Sequence, residues 1–146
     1  MPTYTVHSLA GFLHAEQKAA IAKEITQTHS AVTGANTFFA QVMFADCREG
    51  DWYLGGVPLS GKQVYLSGDI RAGRPPELKN KLLLALRDVV VKTAGIQNHE
   101  VWAYLIELPP SNMVEYGHVL PEAGQEGLWL ANLPAEDRRR LEELGS

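Results

Sequence analysis

Residues 63–108 read QVYLSGDIRAGRPPELKNKLLLALRDVVVKTAGIQNHEVWAYLIEL, and this stretch carries the pattern of a strand, a helix and a second strand. The first strand is predicted from Gln63 to Ile70. From Pro76 to Ala94, leucine and valine recur at steps of three and four residues, which indicates an amphipathic helix with a broad apolar stripe. The run from Glu100 to Leu108 is rich in aromatic and branched residues, so we expect a mostly buried strand. The stretch therefore predicts a β-α-β unit.

The N-terminal half of the chain repeats this pattern. It predicts a strand from Thr3 to Ser8, a helix from Ala15 to Thr33 and a strand from Phe38 to Ala45. Gly34 and Gly95 lie where a left-handed cap would end each helix. An offset of 61 residues also places four pairs of identical residues in register: Tyr4 with Tyr65, Glu16 with Glu77, Lys18 with Lys79, and Gly34 with Gly95.

The duplicated unit predicts an α/β fold. We expect a two-layer sandwich in which tandem β-α-β units form a four-stranded sheet with two helices on one face. Residues 1–146 are expected to form a single domain, with the repeats at about residues 1–61 and 62–122. The uncovered face of such a sheet has to contact apolar surface, so we expect a homo-oligomer. Elements outside the repeats are predicted as follows: a short strand within 52–58, a hairpin over 113–120 and a helix over 135–144.

The composition excludes several classes of partner and location. The chain has 146 residues, of which 45% are hydrophobic, and 13 Lys and Arg face 17 Asp and Glu, for a net charge of −4. Without a basic block, no nucleic-acid or membrane-surface partner is expected. The single cysteine, Cys47, cannot form an internal disulfide. The N-terminus lacks the pattern of a signal peptide, and no apolar run approaches the roughly 20 residues that span a bilayer, so we expect a cytoplasmic protein.

Pro2 is the first candidate for chemistry. Methionine is commonly removed before a small residue such as proline, and its removal would leave Pro2 as a free secondary amine. An α-amino group titrates at about 7.7–8.0, so this amine could act as an acid or a base near neutral pH. A retained Met1 would turn the amine into an amide. Because chains that start with Met-Pro are common, this feature alone does not identify a catalyst.

Arg71 and Arg74 are the second candidate. They follow one predicted strand and precede the helix that begins near Pro76. Guanidinium groups beside a helix N-terminus form an anion site, since the fork binds a carboxylate and the helix dipole attracts it. Cations are otherwise disfavoured at this end of a helix, which favours a site over a solvent-exposed loop. We therefore predict a carboxylate-binding pair.

Three further residues become candidates for a functional site only when they are considered together. His29 lies on the apolar side of the first helix, where a histidine is more often a core residue than a catalyst. Tyr104 lies in the last predicted strand and Glu115 in the predicted hairpin. A carboxylate can activate water and a phenol can orient it, but taken singly both residues are interpreted as structural. No pair of histidines or cysteines has metal-ligand spacing, so no metal is expected.

Together these features resemble the tautomerase superfamily, and in particular its cis-3-chloroacrylic acid dehalogenase family. The likeness spans nearly the whole chain and begins with Pro2 directly after Met1. It further rests on these segments: ITQTH at 25–29, TG at 33–34, AQV at 40–42, RAGR at 71–74, VWAY at 101–104, MVEYG at 113–117 and NL at 132–133.

The resemblance implies a homotrimer without a cofactor, acting on a small-molecule carboxylate. The implied reaction is hydrolytic dehalogenation or hydration of short 3-substituted acrylic acids, with cis-3-chloroacrylate giving malonate semialdehyde. Pro2 would protonate carbon, and Glu115 with Tyr104 would activate the attacking water. The substrate carboxylate would be bound by three residues: His29, Arg71 and Arg74.

Two alternatives remain open at the level of sequence. The first is a keto-enol tautomerase for a phenylenolpyruvate-type substrate, with Pro2 as the general base. A base requires a lowered amine pKa and an acid a high one; the arginines lower the pKa of this amine, whereas Glu115 raises it. The second is a non-enzymatic interaction protein with a vestigial site, for which we expect a retained Met1.

Overall fold

The computed structural model describes residues 2–144, so the question of Met1 lies outside the described residues. The strands and helices follow the predicted order closely. Their bounds are: β1, Thr3–Leu9; α1, Ala15–Thr33; β2, Gln41–Cys47; β3, Tyr53–Leu54; β4, Val57–Pro58; β5, Val64–Arg71; α2, Pro76–Ala94; β6, Val101–Leu108; β7, Val114–Glu115; β8, His118–Val119; α3, Glu126–Asn132; and α4, Ala135–Leu144.

The main sheet has the strand order β2-β1-β5-β6. The two strands within each β-α-β unit are parallel, as β1 is to β2 and β5 to β6. The central strands β1 and β5 are antiparallel and join the two units. Helices α1 and α2 pack against each other and cover one face of this sheet. The predicted α/β two-layer sandwich is confirmed.

The core lies between the helices and the sheet. Alternate residues of β1 and β5 point toward the helices, and the apolar stripes of α1 and α2 face them. Left-handed backbone at Gly34 (φ 75°) and Gly95 (φ 68°) ends the two helices as predicted. Burial of one aliphatic side chain in this core contributes about 1.5–3 kcal/mol to the free energy of unfolding. The fully buried aliphatic residues include Val6, Ile21, Ile25, Val64, Ile70, Leu82, Leu86 and Val90.

Two local predictions were wrong, and one helix was missed. Thr37–Phe39 form a 3₁₀ turn instead of starting a strand, because Phe39 packs into a small second cluster with Leu120. Residues 52–58 form a two-stranded hairpin, β3-β4, since positive φ angles at Gly55 and Gly56 create a tight turn. Helix α3 was not predicted.

The expected burial of the second strand in each unit was also wrong. β2 and β6 are the edge strands of a sheet that has helices on one face only, so alternate residues of both strands are exposed. None of the helices formed by residues 2–144 has both the length and the apolar character needed to cross a bilayer.

Candidate active site

Most of the predicted site residues lie at one end of the strands of the main sheet. Strands β1 and β2 run in one direction, and strands β5 and β6 run in the opposite direction. The first residues of β1 and β2 therefore lie at the same end of the sheet as the last residues of β5 and β6. Pro2 immediately precedes β1 and is buried, and its carbonyl accepts a hydrogen bond of 2.9 Å from the backbone N–H of Gln41. Arg71 is the last residue of β5. The topology therefore places Pro2 and Arg71 at the same end of the sheet.

Arg71 and Arg74 are hydrogen-bonded to each other and line the same cleft. Arg74 donates a hydrogen bond of 2.8 Å from Nη1 to the backbone carbonyl of Arg71. Burial and the neighbouring Arg71 cation lower the pKa of Arg74, but a guanidinium remains charged in proteins. Both arginines line a cleft of about 440 Å³ between the end of α1 and the start of α2. The structure therefore places both arginines on one cleft, and their binding of an anion stays a prediction.

The Arg71 side chain is almost completely buried. Its Nη1 donates to the backbone carbonyls of Pro121 (2.8 Å) and Glu122 (3.5 Å), and its Nη2 donates to the carboxylate of Glu126. Its Nε is buried and has no hydrogen-bond partner within residues 2–144. A buried N–H group without an acceptor is costly, and in native proteins it commonly marks a position for a ligand or water.

His29 is buried and held by Tyr4. The Tyr4 hydroxyl lies 2.7 Å from His29 Nδ1, and the two rings meet edge to face. Burial, assisted by the charge of Arg74, lowers the pKa of His29 to about 3, so its ring is neutral at physiological pH. Burial raises the pKa of Tyr4 well above its usual value, and the phenol stays protonated.

The hydrogen bond with Tyr4 bears on which nitrogen of His29 carries the proton. A neutral imidazole can donate from Nδ1 or accept there; we assign the arrangement in which the Tyr4 phenol donates to Nδ1, which puts the ring proton on Nε2. The Nε2 atom is buried and has no partner among the described residues. His29 thus offers a second unpaired N–H donor, close enough to Arg74 for that cation to lower its pKa.

Glu115 lies in a separate and larger cleft of about 590 Å³. It ends β7, and the turn at Tyr116 and Gly117 has positive φ angles at both residues, as a two-residue hairpin requires. The Tyr116 hydroxyl donates to the backbone carbonyl of Phe38 and so attaches the hairpin to the body of the fold. Thr3, the neighbour of Pro2, lines the same cleft as Glu115. Glu115 and the two arginines therefore line different clefts, and Pro2 is not among the residues that line either of them.

Tyr104 does not join the other candidates within one chain. It is 51% exposed, on the sheet face opposite the helices, and lines neither of the two clefts. Its ring packs against Tyr65 and Trp102. The interpretation of Tyr104 as part of a buried strand was wrong, because β6 is an edge strand.

Two residues of the site have roles that the sequence did not indicate. Tyr4 fixes His29, and Glu126 binds Arg71. Tyr4 could have been suspected from its inward position in β1 opposite Gly68, the one small residue that leaves room for its ring. Nothing in the local sequence points to Glu126. No cluster of three or more His, Cys, Asp or Glu side chains suited to a metal ion occurs in residues 2–144.

Comparisons with known proteins connect this site to a family. A family model described as a putative oxalocrotonate tautomerase enzyme matches residues 1–132. No curated protein sequence matches the chain. The crystal structure of N1, a member of the cis-3-chloroacrylic acid dehalogenase family, is 34% identical with a TM-score of 0.93, covering 97% of this chain and 99% of that chain.

Two further solved structures are more distant. Pt0534, inactivated by 2-oxo-3-pentynoate, is 26% identical with a TM-score of 0.75, covering 83% of this chain and 97% of its own. A wild-type fused 4-OT symmetric trimer shares the fold at 23% identity and a TM-score of 0.74, covering 81% of this chain and 94% of that chain. Because the family model spans most of the chain and N1 is similar over nearly its full length, this protein belongs to the cis-3-chloroacrylic acid dehalogenase family of the tautomerase superfamily.

Proposed function

We propose that this protein is a cofactor-independent enzyme that adds water to short 3-substituted acrylic acids, converting cis-3-chloroacrylate to malonate semialdehyde. The observation that supports it most is that Arg71 Nε and His29 Nε2 are both buried and have no hydrogen-bond partner within residues 2–144, and that both residues interact electrostatically with Arg74. Such donors bind a carboxylate without first breaking other hydrogen bonds. The bound carboxylate draws electron density from the double bond, which makes C3 electrophilic.

The remaining groups complete the addition. Glu115 accepts a proton from water as the water oxygen bonds to C3, and the protonated amine of Pro2, freed by loss of Met1, delivers a proton to C2. The product, 3-chloro-3-hydroxypropanoate, then loses chloride from C3 and a proton from its hydroxyl group. This collapse yields malonate semialdehyde, chloride and a proton, so atoms and charge balance.

In a homotrimer, Tyr104 of one protomer takes part in the reaction at the site of a neighbouring protomer. The sheet face that carries Tyr104 also exposes Met43, Trp102 and Ile106, each between 45% and 49%. Such an apolar face needs cover, and a related fused 4-OT forms a symmetric trimer. Because Tyr104 lines neither cleft of its own chain, we assign it to the site of a neighbouring protomer, where it orients the water at Glu115.

The test follows cis-3-chloroacrylate by proton NMR with purified protein whose intact mass shows whether Met1 is present. We expect malonate semialdehyde from the protein lacking Met1. Pro2→Ala and Arg74→Ala should each lower kcat/KM by about 100-fold or more, the usual size of a lost general acid or charge clamp. Lys92→Ala, a charge removed from the far end of α2, is the control and should leave turnover unchanged. Full activity in either site variant would refute the proposal.

A second candidate uses the same site. The matching family model is described as a putative oxalocrotonate tautomerase enzyme, and Pt0534 is inactivated by 2-oxo-3-pentynoate, an acetylenic keto acid. A keto-enol tautomerase with Pro2 as the base would turn over phenylenolpyruvate faster than any haloacrylate. Comparing kcat/KM for these two substrates decides between the reactions.

A further inference from the structure

The segment that follows β8 encloses the Arg71 guanidinium. Residues 121–126, here called the tail segment, contribute two backbone carbonyls and the Glu126 carboxylate to it. The Arg71 side chain is only 3% exposed, and that of Glu126 is 29% exposed. This pair therefore differs from a solvated surface ion pair, which would contribute little.

These contacts orient the guanidinium. A guanidinium has five N–H donors in one plane, and the tail segment supplies acceptors to both terminal nitrogens, two carbonyls to Nη1 and the Glu126 carboxylate to Nη2. The buried Nε–H remains without a partner within residues 2–144. The three acceptors therefore engage Nη1 and Nη2 and leave Nε as the nitrogen without a partner within residues 2–144.

Glu126 also determines the charge of the cleft. It lines the cleft with both arginines, and its charge raises the pKa of Arg74 as well as pairing with Arg71. Arg71, Arg74 and Glu126 together carry a net charge of +1. Lys79 and Glu107, whose carboxylate also acts on Arg74, form an ion pair and add no net charge. A cleft with one net positive charge matches a ligand with one negative charge.

We infer that Glu126 is a specificity-determining and positioning residue, which holds Arg71 with its Nε donor free and makes the cleft selective for monocarboxylates over dicarboxylates. The inference rests on the proposed function for the identity of the ligand as a carboxylate. It goes further because it assigns the selection to a residue of the tail segment, outside the two β-α-β units.

The experiment measures binding, not turnover. Isothermal titration with propanoate and with malonate, at neutral pH and low salt, gives the ratio of the two dissociation constants. We expect the native protein to prefer propanoate. Glu126→Gln raises the net charge of the cleft by one and should shift the ratio toward malonate by about tenfold or more. Glu126→Asp, which keeps the charge, should retain the preference for propanoate. Glu142→Gln, which removes an exposed charge on α4, is the matched control.

The outcomes separate the inference from the proposed reaction. If Glu126 had a purely structural role, Glu126→Gln would weaken the binding of propanoate and malonate equally. An unchanged ratio of the two dissociation constants would therefore overturn the inference, even with full dehalogenase activity in the native protein. Absence of binding of both ligands to the native protein would overturn it too. A shifted ratio in a protein that converts no acrylate would support the inference and refute the proposed reaction.

Discussion

At the scale of single residues, His29 makes the stability of the protein depend on pH. Its pKa in the folded state, about 3, lies below the value of 6.5 expected in the unfolded chain, mainly because of burial. Between these values the unfolded chain binds one more proton than the folded protein. The contribution of His29 to stability is therefore complete above about pH 6.5 and is lost as the pH falls toward 3.

We expect the free energy of unfolding to fall by up to about 1.4 kcal/mol per pH unit below the unfolded pKa of His29. His29→Gln should flatten this dependence. Urea denaturation of both proteins between about pH 6.5 and 5 tests it, since unperturbed carboxylates stay ionised there and the other histidines cancel in the difference. Equal slopes, or an NMR titration of the His29 ring within this range, would contradict the assignment of a neutral buried imidazole.

At the scale of secondary-structure elements, the contact between β1 and β5 positions Tyr4. A Cβ atom at Gly68 would lie 2.5 Å from Cε1 of the Tyr4 ring, and the hydrogen bond to His29 keeps that ring in place. Gly68→Ala should therefore destabilise the protein by about 1–3 kcal/mol, the usual cost of overpacking. At Gly61 a Cβ would meet nothing within 4 Å, so Gly61→Ala is the control. Urea denaturation of both variants measures the difference, and equal stabilities would show that Tyr4 can move.

At the scale of the whole molecule, the uncovered sheet face should control assembly. Ile106 on this face is 49% exposed, and Leu84 on the outer side of α2 is 53% exposed. Ile106→Lys places a charge in the proposed interface and should yield monomers with little activity, because Tyr104 would then reach no neighbouring site. Leu84→Lys, the same kind of change in the helical layer, should leave the proposed trimer intact. Sedimentation velocity distinguishes the two results, and a trimeric Ile106→Lys protein would exclude this face as the interface.

The sequence by itself determined the order of the main strands and helices, but it missed helix α3 and the turn at Thr37–Phe39. The bounds of α1, α2 and α4 agree with the periodicity of their apolar residues, and the glycines that end α1 and α2 follow from local backbone preference. The proximity of Arg71 and Arg74 was predictable as well, since they are three residues apart at a strand-to-helix junction. The catalytic roles of the six candidate residues and the domain boundaries stay predictions.

Tertiary structure alone decided the partners of the site residues. Tyr4 meets His29 across 25 residues, and Arg71 meets Glu126 across 55. The exposure of Tyr104 depends on the strand order, which leaves β6 at an edge with one face bare. Hydrophobic periodicity reports only which side of an element is buried. Which distant side chain meets that surface depends on how helices and strands pack in three dimensions, and a local pattern carries no information about it.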